Sequence, residues 1–131
     1  MITTYLNNFL NDFKLNYTKY NKIKTSVGLT QALENRKNFA DLPLILIENI
    51  NFSGDTQLLS TSGTLSFDTI YFDVDKHNNG YIKIEEDFLN NFIEYIKTLN
   101  CEVTITNIEF ELSDTDNEFG VTVSCESVIS L

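Results

Sequence analysis

The chain has 131 residues, 42% of them hydrophobic and 12% aromatic, with a formal net charge of −10. That length and composition define one globular domain, 1–131, with an ordinary core and exclude a disordered chain, while the acidity disfavours non-specific binding to duplex phosphate. No run approaches the roughly 18 consecutive apolar residues of a membrane span, and no basic flank leads into an apolar run at the amino end, so the chain is expected to stay in the cytoplasm where it is made.

Residues 2–16 predict an amphipathic helix. Thr3 or Thr4 serves as its expected cap, and Tyr5, Leu6, Phe9, Leu10 and Phe13 recur at helical spacing. Residues 17–41 are basic and weakly patterned, which predicts an extended arm or long loop with a short helical turn at Thr30–Glu34. Pro43 then opens Leu44-Ile45-Leu46-Ile47, a run suited to a strand buried on both faces. Residues 51–63 are polar and predict a loop or loose hairpin.

From Thr64 to Val74, Leu65, Phe67 and Tyr71 alternate against Ile70, Phe72 and Val74, a second strand with two occupied faces. A helix is predicted from about Ile84 to Leu99. It carries Phe88, Leu89, Phe92, Ile93, Ile96 and Leu99 on one side, and Glu85, Glu86 and Asp87 at its positive end. Lys97 lies at the negative end and Asn100 is the expected stop.

Two strands follow. Val103 and Ile105 alternate in one phase and Ile108, Phe110 and Leu112 in the other, so a bulge is expected at Thr106–Asn107. An acidic turn over 113–118 leads to Phe119, Val121, Val123 and Cys125 in clean alternation. The fold class is therefore α+β: a mainly antiparallel sheet of four to five strands, with an amino-terminal helix and a second helix packed on it. Cys101 and Cys125 both fall in predicted strands and are expected to be buried free thiols. Two cysteines and one histidine are too few for a zinc site.

Asp75 to Glu86 admits a metal reading. As a twelve-residue calcium loop it places Asp75, His77 and Asn79 at positions 1, 3 and 5, Tyr81 at the carbonyl position 7 and Glu86 at position 12. Gly80 takes the turn and Ile82 the apolar position 8. Against this, His77 is a poor ligand for a hard cation, Lys83 occupies a water-ligand position, and only Asp75 and Glu86 bring negative charge. A polar turn before a helix accounts for the same residues, and no metal or cofactor is expected. Carboxylates on 102–118 suit solvent-facing positions of an alternating strand, and no phosphate-binding Gly loop or nucleophile elbow is present. An enzyme is not expected.

Charge is distributed unevenly. Residues 1–40 hold six basic side chains against Asp12 and Glu34, a net of +4, and residues 41–131 hold three basic against seventeen acidic, a net of −14. Lys19, Lys22 and Lys24 on one side, and Glu109, Glu111, Asp114, Asp116 and Glu118 on the other, are the candidate subunit-interface residues, because a basic arm and an acidic body suit head-to-tail pairing between copies.

Four segments resemble the small neck and tail-completion proteins of tailed bacteriophages, the tail-terminator group above all. They are the amino-terminal helix with its long loop to Leu42-Pro43-Leu44-Ile45-Leu46; the strand Ser66–Val74 leading into Glu85–Leu99; the strand Asn107-Ile108-Glu109-Phe110-Glu111-Leu112; and the turn and strand start Asp116-Asn117-Glu118-Phe119-Gly120-Val121. The resemblance implies a non-enzymatic virion subunit, assembled in the host bacterial cytoplasm. It implies a homo-oligomeric ring, often of six, that caps the tail tube and joins it to the head connector while DNA passes without specific binding. Two alternatives stand beside it: a small acidic inhibitor, such as an immunity protein or DNA mimic, and a weak calcium-binding module built on 75–86.

Overall fold

Leu6, Phe9, Leu10 and Phe13 form the buried stripe of helix α1, Ile2–Asn16. The computed structural model describes residues 1–28, 43–55, 62–74, 80–112 and 118–130. The helix starts before the expected threonine caps: Met1 is the cap residue and no side chain caps the end.

Part of the stretch expected to be an arm is ordered structure on the core. Thr18–Tyr20 is a 3-10 turn and Lys24–Val27 is a strand, β1. Tyr20 is 1% exposed and stacks on Phe13 with ring centroids 4.9 Å apart. Full burial of a ring of this size contributes about 1.5–3 kcal/mol, which outweighs weak local propensity. Residues 29–42, including the turn expected at 30–34, lie outside the described residues.

Strands β2 (Leu44–Asp55) and β3 (Ser62–Val74) pair antiparallel and run well into the polar stretch 51–63, expected to be a loop or loose hairpin. Gly54 opposes Gly63 in this register, and a Cβ on Gly63 would stand 2.4 Å from the Ser53 carbonyl oxygen, so the hairpin closes there only with glycine. Strands β4 (Val103–Leu112) and β5 (Glu118–Ser130) complete a five-stranded sheet of order β1-β2-β3-β5-β4. Among the described residues only β1 and β2 pair parallel; the other pairings are antiparallel. The architecture is thus the expected α+β class. The register of β4 on β5 shifts between Ile105 and Asn107, which is the bulge the change of phase predicted.

Register assigns the faces. Ile45, Ile47, Leu65, Phe67, Tyr71, Phe119, Val121, Val123 and Cys125 share one side and form the main core with the helices. Leu44, Leu46, Ile70 and Phe72 form a smaller buried cluster on the other side, so the run 44–47 is indeed buried on both faces.

The second helix, α2, spans residues 80–98: α-helical Gly80–Ile84, a π-helical turn Glu85–Leu89, then α-helical Asn90–Thr98. It begins earlier than expected. Glu85, Glu86 and Asp87 therefore sit within the helix and not at its positive end, where the dipole effect is confined to the first turn. Phe88 stacks on Tyr71 at 4.9 Å and on Phe92 at 5.1 Å, seating α2 on the sheet beside α1. After Thr98 the chain turns through Asn100 (φ 52) and Cys101 (φ 68). Asn100 is the stop the sequence indicates. Cys101 is exposed in this turn, contrary to its expected place in a strand, because a left-handed residue cannot continue a strand ladder.

Candidate functional site

The alternative calcium-loop reading falls partly on residues 75–79, which include His77 and lie outside the described residues. Asp75 and Asn79 lie outside the described residues, whereas Tyr81 has helical backbone and Glu86 is exposed in the π-helical turn. Positions 6 to 12 of such a loop thus fall in helix, where an EF-hand needs a sharp turn at 6 and extended backbone near 8. Among the described residues, no group of three or more His, Cys, Asp or Glu is placed to hold a metal ion.

The 3-10 turn supplies two side-chain donors to carbonyls of the π-helical turn. Tyr20 OH donates to the Asp87 carbonyl, and Lys19 Nζ donates to the Glu86 carbonyl at 3.3 Å. Asn91 Nδ2 donates to Tyr20 Oη at 3.0 Å. Burial, only partly offset by the Asn91 hydrogen bond, pushes the Tyr20 hydroxyl up to about 12, so it remains a donor at neutral pH. Lys14, part of the same basic stretch, is also used inside the fold: its Nζ donates to the Ile23 carbonyl at 3.2 Å.

The remaining candidate residues define the two ends of the sheet. Lys24 is the first residue of β1 and is exposed on the face away from the helices, beside Leu44 in the register. Lys19 and Lys22 are exposed in the chain that leads into it. Glu109 and Glu111 are exposed on β4, also on the face away from the helices, opposite Thr122 and Gly120. Glu118 begins β5, while Asp114 and Asp116 lie outside the described residues. The basic and acidic sets are therefore not neighbours within one chain. Four strand spacings, about 19 Å, separate β1 from β4.

Two features of this surface escaped the sequence. One is the reverse side of β4, where Ile108 is 36% exposed and Phe110 half-buried, both facing the helix layer but at its margin. The alternation Ile108-Glu109-Phe110-Glu111 carried the signal, since it gives the outermost strand one apolar and one acidic side. The other is Glu48, on the outer face of β2 opposite Asp68. It is 8% exposed and its Oε1 has no hydrogen-bond partner; burial raises its carboxyl above the usual 4.5. Glu126, exposed beside Thr104, adds to the same acidic face. A comparison with protein-family models finds no match, and neither does one with curated proteins.

Proposed function

We propose that the chain is a non-enzymatic structural subunit of a phage neck or tail, assembling head to tail into a ring that caps the tail tube and joins it to the head connector. The observation that supports this most is the placement of unlike charge on the two outermost strands of one sheet. Lys24 opens β1 with Lys22 two residues before it, and Glu109 and Glu111 lie on β4 at the other end. A surface that binds a different surface on the next copy gives a heterologous contact, and such contacts close into rings when the rotation allows. The resemblance of the sequence to tail-completion proteins motivates the reading, and an acidic face presented to a channel would repel passing DNA.

Sedimentation velocity across a wide concentration range, with and without millimolar calcium, tests the proposal. A discrete ring-sized species at high concentration, unchanged by calcium, is the expected result. A chain that stays monomeric throughout overturns self-assembly in solution. The outer face then favours a second reading: Glu48, Asp68, Glu109, Glu111 and Glu126 share it, which suits a small acidic inhibitor of a basic protein.

A further inference from the structure

We infer that successive copies join by sheet continuation: β4 of one copy pairs antiparallel with β1 of the next, with Glu109 opposite Lys24. This rests on the head-to-tail assembly proposed above and specifies its contact.

Strand direction comes first. β1 and β2 run one way, β3 the other, β5 with β2, and β4 against β5. A second copy set beside β4 in the same orientation brings its β1 antiparallel to β4, with both helix layers on the same side. Antiparallel pairing is the stronger ladder and needs no reversal of either subunit.

Side-chain faces agree with that placement. On β1, Lys24 lies on the outer face and Thr25 and Val27 on the helix face. On β4, Glu109 and Glu111 lie on the outer face and Ile108 and Phe110 on the helix face. Setting Lys24 opposite Glu109 places Thr25 opposite Ile108 and Ser26 opposite Asn107, and brings Lys22 toward Glu111. Each face then meets its like: cation to anion on one side, methyl-bearing and apolar groups on the other. A slip by one residue would put Lys24 against an apolar side chain, so the pattern specifies the register.

Acidic side chains on an outermost strand also serve to repel unwanted strands. The half-exposed Ile108 beside them is not explained by that role, since protection favours charge on both sides of an open edge. A partner strand with lysine on one side and apolar groups on the other satisfies both observations.

Charge exchange and cross-linking test the contact together, each variant being checked for an unchanged circular dichroism melt. Glu109→Lys or Lys24→Glu alone should raise the concentration for half-assembly by about tenfold or more, and the two combined should restore it. In a Cys101→Ser background, Lys24→Cys with Glu109→Cys should give disulfide-linked ladders of copies, because directly opposed antiparallel residues have Cα atoms within about 4.5–5.5 Å. Rings that form normally yet neither respond to the charge exchange nor cross-link would overturn this contact and leave ring assembly standing. A wild-type chain that stays monomeric at every concentration would overturn both.

Discussion

Among the described residues, Glu48 is the carboxylate with a buried oxygen that finds no hydrogen-bond partner. Its carboxyl is buried on the outer sheet face, with Leu46 on its own strand and the Asp68 carboxylate opposite, and its Oε1 has no partner. The folded chain therefore holds this proton more tightly than the unfolded chain does. The stabilising effect of that proton is present at low pH and is lost as pH rises from the ordinary 4.5 through the raised folded value. Glu48→Gln should remove this loss and make the protein roughly 1 kcal/mol more stable at pH 7, read as a higher Tm, with little change at pH 4. The two cysteines differ in a similarly direct way. Cys125 is buried and its thiol is pushed up to about 12, chiefly by desolvation, whereas Cys101 lies exposed in a turn. An aromatic disulfide reagent at pH 8 should titrate one thiol per native chain, Cys101, and two in denaturant; Cys101→Ser should abolish the native reaction.

The hydroxyl of Tyr20 joins the turn after α1 to the π-helical turn of α2. Tyr20→Phe keeps the ring stack on Phe13 but leaves the Asp87 carbonyl and the Asn91 amide without their partner. It should cost about 0.5–1.5 kcal/mol in urea denaturation, with the m value unchanged. This connection was not legible in the sequence, because a lone tyrosine among lysines and asparagines has no periodicity; only the distant helix makes it a core residue. β1 was hidden for the same reason, being four residues long and defined by its parallel partner Leu44–Ile47. Elements with long, strongly periodic patterns were legible: α1, the two-faced run of β2, β3, and β4 with its change of phase. The start of α2 was not, since Gly80-Tyr81-Ile82 reads equally well as turn chemistry, and the π-helical turn breaks the apolar spacing that would have extended the helix backwards.

Taken together, the charge asymmetry of the sequence becomes a spatial one. Among the described residues, Lys19 packs against the acidic turn of α2, whereas Lys22 and Lys24 lie at one end of the sheet and β4 with its glutamates at the other. The candidate interface was half legible for that reason: the sequence marked the opposed charges, but only the strand order revealed that they bound the same sheet. Salt should weaken any association that depends on them, since exposed charges are screened beyond about 8–10 Å at physiological ionic strength.

The order β3-β5-β4 also has a consequence in time. β4 is synthesised before β5, yet β5 is its neighbour in the sheet and separates it from β3. Until Glu118–Ser130 is made, about one to four seconds later at about 5–20 residues per second, the β4 segment has no ladder to join and no fixed register. The strand that carries Glu109 and Glu111 is thus aligned only by a strand made after it. In the proposed assembly, a chain without β5 would offer no aligned β4 edge, so copies would join only after folding is complete.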